Sequence, residues 1–473
     1  MQRGMKIWLS TLVSLLVCAS AVPAKDLGDI LRDKGLITPE ELRQAREEEK
    51  QKAAAEEQQK AAAEEAQSKS VLAKLPKWLS YITPFGDVRA RYENFSQNDL
   101  TARNRERFRA RIGLLATPSD EISARVRLAT GDSNNPVTRN QTFSNTFTQK
   151  PVNLDEAYLT LKPGKSFNLE PGWFTMTAGK FSSNAYRVSE LVWDDDLTPE
   201  GATETLNLVD QKEGFVRGLK VNAFQWVVDE LAAKEDPWMG GGQVVADTAL
   251  GSTANWTLAF ADYHYENLNA VASKYLDPNS KNFNSQLANT NRLIVTRDAS
   301  NKVTAVKGFS SKFNLVSAAT EFNLPDVGGI PAGVFGEFVY NTQADSRNVG
   351  FYVGAGIGYA GRDWYHNSLK TKGDWAVSYT YAWVERDAVA AMFTYDDDFY
   401  YTHGQSSAPI GGTNIGAHIV RCDYMPLPNF QLTLKTHLIN ALDDQLNPST
   451  TVFSPYKGNP TLVRTQLDAM LKF

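Results

Sequence analysis

The stretch RNRERFRARIGL at residues 103–114, followed by ISARVRL at residues 122–128, decides the fold. In both runs the arginines fall on odd-numbered positions, and from Phe108 onward the even-numbered positions within the runs are apolar. A period of two places alternate residues on opposite faces of a β-strand. The apolar spacing of the first run also fits a helix, but the turn-forming residues 117–120 indicate a hairpin. The stretch therefore predicts adjacent strands with one arginine face and one apolar face.

The arginines between Phe85 and Gly131 all share the odd positions. They are Arg89, Arg91, Arg103, Arg105, Arg107, Arg109, Arg111, Arg125 and Arg127. A soluble sheet needs only a few charges on its wet face, and we count no matching set of acids beside these arginines. We therefore expect a polar interior behind a lipid-facing exterior, as in a transmembrane β-barrel. All of these arginines except Arg103 are predicted to line a channel.

Residues 1–24 have the pattern of a secretory signal peptide. Arg3 and Lys6 form a charged start, residues 7–17 an apolar centre, and residues 22–24 a small-residue cleavage site. The apolar stretch is shorter than the roughly 20 residues that a membrane-spanning helix needs. Cleavage would remove Cys18 and leave Cys422 without a partner for an internal disulfide.

The charge balance argues against nucleic acid as a partner. Loss of Arg3 and Lys6 takes the 49 basic residues to 47, against 54 acidic residues, so the mature chain carries a charge of about −7. An acidic chain of this kind has no overall basic surface for binding phosphates.

Residues 25–80 are predicted to form a periplasmic helical segment rich in alanine and charge. The sequence Lys-Ala-Ala-Ala-Glu-Glu occurs at Lys52 and again at Lys60, and such sequences are good helix formers. A helix over residues 40–70 would be roughly 45 Å long at about 1.5 Å per residue. We favour a solvated spacer. A trimeric coiled coil and a tether to the cell wall remain open, although no clean heptad persists.

Residues 81–473 are predicted to form a barrel of sixteen strands, because short alternating runs replace any long apolar stretch. The strands begin near Phe85, Asn104, Ile122, Leu154, Trp173, Ala202, Gly218, Gly242, Asn255, Phe313, Ala332, Phe351, Asp374, Thr413, Phe430 and Leu462. Short and long connections tend to alternate between them, as short periplasmic turns and long external loops do. Aromatic residues at the ends of runs, such as Trp375 and Trp383, would form the interfacial girdles.

The last predicted strand ends in Phe473, on the same face as Leu467, Ala469 and Leu471. A final strand ending in phenylalanine resembles the signal by which bacterial outer-membrane barrels are recognised for insertion. We therefore assign Phe473 to the assembly signal.

The loop after the fifth predicted strand is acidic, with Glu190, Asp194, Asp195 and Asp196 between residues 182 and 201. In sixteen-stranded porins this loop folds into the barrel and narrows the pore. An acidic loop facing a basic wall would create a strong transverse field in the constriction. The alternative is an ordinary solvated loop, with aspartates that could bind calcium.

Several motifs resemble those of the putative porin family of Gram-negative outer membranes. They are Asp155-Glu156-Ala157-Tyr158-Leu159, Gly179-Lys180-Phe181, residues 196–201, residues 372–375, Asp387-Ala388-Val389, residues 394–399 and residues 411–414. The resemblance covers residues 84–473 and implies a sixteen-stranded barrel, passive diffusion and a homotrimer. Phosphate-selective porins are a more distant comparison, but the acidic third loop departs from a purely anion-attracting channel.

No catalytic motif stands out in the sequence. Among the five histidines, His418 and His437 are predicted to lie in the lumen on neighbouring strands, with Lys435 close by. We find no nucleophile motif, phosphate loop or metal-ligand spacing, and we expect no enzyme activity, no metal and no cofactor.

We interpret the chain as an outer-membrane porin for small hydrophilic solutes and ions, with a mild anion preference. Its expected partners are outer-membrane lipid and lipopolysaccharide, copies of itself in a homotrimer, and peptidoglycan if residues 25–80 are a tether. The alternatives are a structural protein that holds the membrane to peptidoglycan and, less favoured, a phosphate- or anion-specific channel.

Overall fold

The structure is a computed structural model that describes residues 38, 76–98, 101–144, 146–232, 234–251, 254–285, 287, 290–395, 412–443 and 460–473. The chain divides into two units, Met1–Ser80 and Tyr81–Phe473. The predicted signal peptide and nearly all of the predicted helical segment, with its possible coiled coil, lie outside the described residues. A short 3-10 helix, Lys77–Tyr81, precedes the barrel in sequence.

Sixteen long strands form the barrel, and we number them β1 to β16 in chain order. They are Ile82–Ser96 (β1), Arg103–Ser119 (β2), Ile122–Thr130 (β3), Val152–Leu161 (β4), Phe174–Lys180 (β5), Glu200–Asp210 (β6), Val216–Val227 (β7), Trp238–Leu250 (β8), Ala254–Glu266 (β9), Asn314–Val327 (β10), Ile330–Asn341 (β11), Val349–Gly358 (β12), Trp375–Val384 (β13), Ile415–Leu427 (β14), Phe430–Ala441 (β15) and Leu462–Lys472 (β16). Each pairs antiparallel with its neighbours.

The sheet closes on itself because β1 pairs with both β2 and β16. At the seam, Asp87 lies opposite Lys472 on one side and opposite Arg111 on the other. Two hydrogen bonds between Gly86 and Phe473 complete the closure, at 2.8 and 3.0 Å. The predicted closed, sixteen-stranded antiparallel barrel is therefore confirmed.

In the described part of the chain, three shorter strands lie outside this set. Gln141–Thr142 adds a small pairing to β2 at Arg107 and Phe108. Leu293–Arg297 and Val303–Phe309 form a separate hairpin in the long loop between β9 and β10. The same loop holds a short helix at Leu268–Val271, which continues as a π-helix at Ala272–Leu276. Every helix among the described residues is too short or too polar to cross a lipid bilayer.

The two faces of the strands differ as the period of two predicts. On β2, Arg107 and Arg109 are each 7% exposed, whereas Ile112 and Leu114 are more than half exposed. Because the arginine face is enclosed by the barrel, the apolar residues lie on its outer surface. Val377 and Tyr379 on β13 are likewise outside. This inversion of the soluble pattern is what a lipid environment requires.

The connections at one end of the barrel are mostly shorter than those at the other. One end carries tight turns such as Gly328-Gly329, both with positive φ, and Pro428-Asn429. The other end carries the loops over residues 131–151, 181–199, 267–313 and 385–414. Two longer connections leave from the end with the short turns: residues 162–173, between β4 and β5, and the sixteen residues 359–374, between β12 and β13.

Candidate functional site

The eight arginines predicted to line the channel, which we call the arginine wall, lie on the inner faces of β1, β2 and β3. Their guanidinium groups are paired with carboxylates. Asp87 on β1 accepts from Arg109 at 2.9 Å and from Arg111 at 2.7 Å. Asp468 on β16 accepts from Arg91 at 2.7 Å. The expectation that the arginines lack matching acids is therefore wrong. Asp87 occupies an odd position like the arginines, so the sequence already contained the signal.

Glu93 is the centre of the largest cluster in this wall. Its carboxylate lies 2.8 Å from Arg464 and 2.5 Å from Arg105, with Arg91 and Arg107 at 3.5 and 3.8 Å. Glu93 is fully buried. Several guanidinium groups thus share one carboxylate that water does not reach.

Asp155 and Glu156 are consecutive on β4, yet both pair with arginines of β3, because the β3–β4 ladder contains an irregularity. Arg127 lies opposite Glu156, but the next residue of β3 lies opposite Leu154, so Asp155 is extra. Such a bulge turns both acids inward. Asp155 accepts from Arg127 and from Arg139, each at 2.6 Å, and Glu156 accepts from Arg125 at 2.7 Å. Sequence reasoning did not single out Arg139, which belongs to a loop without a pattern.

The acidic loop over residues 181–199 lies inside the barrel. The Asp196 carboxylate contacts Arg109 at 3.4 Å and Arg111 at 3.5 Å. On another side of the barrel, Ser189 donates to Glu337 on β11 at 2.7 Å. Burial opposes the charged form of Asp196, but the surrounding arginines hold its pKa below the usual range. The loop therefore touches the arginine wall directly at Asp196.

An aromatic cluster fixes the other side of this loop. The Trp193 ring lies 5.0 Å from the ring of Trp226 and 5.4 Å from that of Tyr263, both in edge-to-face geometry. The segment 385–395, which follows β13, also folds inward, and Thr394 Oγ1 donates to the carbonyls of Glu190 and Leu191 at 2.9 and 2.8 Å. Edge-to-face pairs are favourable beyond their apolar burial. These contacts therefore hold the acidic loop firmly in place.

The connection 359–374 also folds into the barrel, from the opposite end. Trp364 is almost fully buried and its Nε1 donates to Asn323 on β10 at 2.5 Å. A Cβ atom at Gly333 or Gly356 would lie 2.1 or 2.4 Å from this indole. Only glycine at those two positions lets the indole pack against the strands. Sequence reasoning did not predict this second inward loop.

The acidic loop and the connection 359–374 meet at His366. Its Nε2 lies 2.7 Å from Asp195 Oδ2, and its Nδ1 lies 2.8 Å from Asp363 Oδ1. Arg187 contacts the other oxygen of Asp195 at 2.5 Å. The backbone N–H of Asp195 donates to Glu190 Oε1 at 2.9 Å. We call Glu190, Asp195, Asp363 and His366 the histidine cage.

Charge in the histidine cage shifts the pKa values of its members. Burial disfavours the imidazolium of His366, but Asp195 and Asp363 outweigh burial and raise its pKa to about 10. Burial and the negative charge of Asp195 raise the pKa of Glu190 to about 8. Partial burial opposes ionisation of Asp195, yet His366 and Arg187 hold its pKa well below the ordinary value. The cage therefore favours a positive charge at its centre.

A cavity of about 1350 Å³ lies between the arginine wall, the acidic loop and the connection 359–374. Among the described residues that line it, thirteen are Arg or Lys and nine are Asp or Glu. Of the predicted channel-lining residues, Arg89, Arg91, Arg109 and Arg111 border this cavity, and so do all four acids of the loop. The other four arginines, Arg105, Arg107, Arg125 and Arg127, lie elsewhere along the wall.

A family model described as Putative porin matches residues 94–435, more than half of the chain. The chain belongs to the Putative porin family. Membership supports a channel, of a class that is typically non-enzymatic, and fits the outer membrane of a Gram-negative bacterium. No curated protein sequence matches the chain.

Several solved structures are similar to this chain. The Salmonella typhi OmpF complex with daunomycin shares 10% identity, over 83% of this chain and 97% of that one, with a TM-score of 0.45. OprB of Pseudomonas putida at high pH shares 8% identity, over 84% and 96%, with a TM-score of 0.48. The outer membrane channel DcaP of Acinetobacter baumannii shares 10% identity, over 83% and 97%, with a TM-score of 0.40.

The histidine pair expected in the lumen of this Putative porin is not formed. His437 is buried inside, 3.3 Å from the Tyr395 hydroxyl, but His418 is exposed on the outer face, where its Nδ1 lies 2.8 Å from the Tyr379 hydroxyl. The reason is a register shift in the β14–β15 hairpin between Tyr424 and Leu427, which places His418 opposite Leu438. A one-residue shift sends the side chains of a strand to the other face.

Proposed function

We propose that this barrel is a porin through which small hydrophilic solutes and ions diffuse passively, with the acidic loop as its constriction. One observation carries the proposal: two inward loops and a charged wall surround a cavity inside a closed barrel. Such a lumen offers solutes charged groups in place of bulk water, and the charges sort what passes. The proposed channel-lining residues are the eight arginines, and the proposed constriction residues are Glu190, Asp194, Asp195 and Asp196.

The proposed selectivity is a mild preference for anions. The surplus of basic over acidic residues around the cavity supports it. Two of the arginines are also more exposed than the acids that bind them: the side chain of Arg111 is 20% exposed and that of Arg125 28%, against 10% for Asp87 and 1% for Glu156. At these two positions a passing ion would meet the guanidinium group before the carboxylate.

The reversal potential of single channels in a potassium chloride gradient tests the proposal. Changing Asp194, Asp195 and Asp196 to asparagine should raise the anion preference, more so at low salt, because charges within about 8 Å interact at physiological ionic strength. The Asp195→Asn variant alone should produce much of this change, since its side chain is 41% exposed. Asp298→Asn, in the exposed tip of the separate hairpin, is the matched control.

The opposite change tests the wall. Replacing Arg107, Arg109 and Arg111 with glutamine should shift the reversal potential towards cations. An unchanged potential in the aspartate variants means that the loop does not border the ion path. If the potential of the arginine variant is unchanged as well, ions do not pass through the lumen. A protein that shows no single-channel conductance at all is not a porin.

We also propose that the protein works as a homotrimer in lipid and lipopolysaccharide, with residues 25–80 in the periplasm behind a cleaved signal peptide. The trimeric form of OmpT from Vibrio cholerae supports the assembly by analogy of fold only. Cross-linking in outer-membrane vesicles should give a three-subunit band. N-terminal sequencing should place the mature start after Ala24.

A structural role in holding the membrane to peptidoglycan is the second candidate function. The alanine- and charge-rich sequence of residues 25–80 favours this role, because a helix of that length would extend well beyond the membrane. Peptidoglycan should then retain the full chain but not a chain without residues 25–69. Equal retention of the two chains would exclude the tether without affecting the pore.

A further inference from the structure

The histidine cage combines side chains that bind metal ions, although the sequence contains no metal-ligand spacing. Glu190, Asp195 and His366 each offer one ligand atom, and these atoms all lie within 4.8 Å of one another. We propose that Glu190, Asp195 and His366 form a binding site for a divalent transition metal ion, with Zn²⁺ as its best match. The ion would join the acidic loop to the connection 359–374.

The donor set selects the class of metal. One imidazole nitrogen and two carboxylate oxygens suit Zn²⁺ and its neighbours better than Ca²⁺, which takes six to eight oxygen ligands. Three protein ligands are typical of sites that keep one zinc position open. Zn–N and Zn–O distances of about 2.0–2.2 Å need donor atoms roughly 3.3 Å apart in a tetrahedron. The 2.7 Å contact of His366 and Asp195 would lengthen by roughly 0.6 Å, and the Glu190 ligand atom, within 4.8 Å of the other two, would approach them by up to about 1.5 Å.

A second layer of contacts already orients the imidazole. Asp363 lies 2.8 Å from His366 Nδ1, and Ser368 Oγ donates to the other Asp363 oxygen at 2.6 Å. Histidine ligands in metal sites commonly give Nδ1–H to a carboxylate, which directs Nε2 at the ion. Asp363 would therefore be a positioning residue, since it holds His366 without touching the metal.

The site is open to its ion and favours positive charge. Asp195 and His366 are 41% and 26% exposed in their side chains and both line the cavity. Three carboxyl groups surround the one imidazole, and the Arg187 guanidinium lies 2.5 Å from the Asp195 oxygen that does not contact His366. Binding of one Zn²⁺ would displace the proton from Nε2 of His366, and also that of the Glu190 carboxyl group where it is protonated, and release them to solvent, so both residues would bind as deprotonated ligands.

Metal binding would have two consequences. The ion would fasten together two loops that enter the barrel from opposite ends. It would also occupy the space beside Asp195 in the proposed constriction, which should reduce the single-channel current. The effect on current rests on the proposed pore, whereas binding itself does not.

Titration of the full chain in detergent with Zn²⁺, and with Co²⁺ as an optical probe, tests the site. Wild-type protein should bind one more ion than His366→Ala, and Co²⁺ should give the intense visible absorption of a four-coordinate centre only with His366 present. Asp363→Asn should weaken binding about 10- to 100-fold, as loss of an outer carboxylate typically does. His418→Ala, on the outer face, is the matched control and should bind as wild type does.

Two outcomes would overturn the site. One is equal binding by wild type and His366→Ala. If His366→Ala does not fold, the second outcome is equal binding by wild type and Glu190→Gln. The heat-modifiable band on gels shows whether each variant has folded. Zinc that binds through His366 but leaves single-channel current unchanged would support the site and count against the proposed constriction.

Discussion

A single buried carboxylate, Glu93, organises much of the arginine wall. Arginine keeps its charge even when buried, so each guanidinium needs an acceptor close by. Glu93 supplies one to Arg105 and Arg464 at once, while Phe95 lies beneath the guanidinium groups of Arg103, Arg105 and Arg464, 5.0–5.9 Å from its ring centre. Cation–π contact stabilises such an arrangement.

Glu93→Gln should destabilise the barrel strongly. It removes the charge around which the arginines gather and leaves them repelling one another, and breaking a buried ion pair costs about 3–5 kcal/mol. The measurement is the midpoint of the heat-modifiability transition, or of unfolding by denaturant, in detergent. Glu106→Gln makes the same substitution at an exposed position on the adjacent strand and should change little. Equal midpoints for the two variants would show that the cluster is dispensable.

Strands and loops differ in how far the sequence predicts them. All sixteen strands were predictable because period-two alternation is a local property that each strand carries alone. The inward position of the arginines followed from the same alternation. The pairing of Asp155 with Arg139 was not predictable, because it depends on a bulge. Nor was the histidine cage, since Asp195 and His366 are brought together only by two loops that cross the interior.

Gly333→Ala should dislodge the connection 359–374. The new Cβ would lie 2.1 Å from the Trp364 indole, and overpacking of this kind costs about 1–3 kcal/mol. We expect changed tryptophan fluorescence and faster proteolysis of the connection. Gly336→Ala, on the same strand, brings a Cβ no closer than 3.4 Å to its neighbours and is the control. Identical proteolysis of both variants would mean that Trp364 does not hold the loop.

Phe473→Ser should reduce assembly more than conduction. The Phe473 side chain is 59% exposed on the outer face at the end of the chain, where an assembly receptor could contact it. We expect less protein in the outer membrane by immunoblot, but unchanged single-channel conductance for the molecules that insert. Leu471→Ser, on the same face of the last strand, separates a terminal signal from a general loss of apolar surface. Normal amounts of Phe473→Ser in the outer membrane would show that Phe473 is not the assembly signal.

At the scale of the whole molecule, the barrel strands all lie within residues 82–472. Residues 25–80 supply no alternating run, so the division between helical segment and barrel stays a prediction from sequence. The function of the segment depends on partners that a single chain does not reveal. The fold, by contrast, follows from alternation repeated many times, and for that reason it was the most predictable level.

A chain without residues 25–69 should still fold into a barrel, because it keeps all sixteen barrel strands that the structure describes. The measurement is a β-rich circular dichroism spectrum in detergent together with a band that shifts on heating. A chain shortened instead at its other end, without residues 462–473, lacks β16 and should give neither signal. Failure of the first chain to fold would move the domain boundary.

The seam between Gly86 and Phe473 also sets the point in synthesis after which the barrel can close. Its hydrogen bonds join the first strand to the residue that follows β16, so a growing chain that does not yet include β16 cannot form them. Until β16 has been made, two strand edges have no partner and the apolar outer surface is exposed, and such edges favour aggregation. Contacts between distant parts of a chain also form slowly. Closure is therefore a late step, which follows the synthesis of nearly all of residues 82–473.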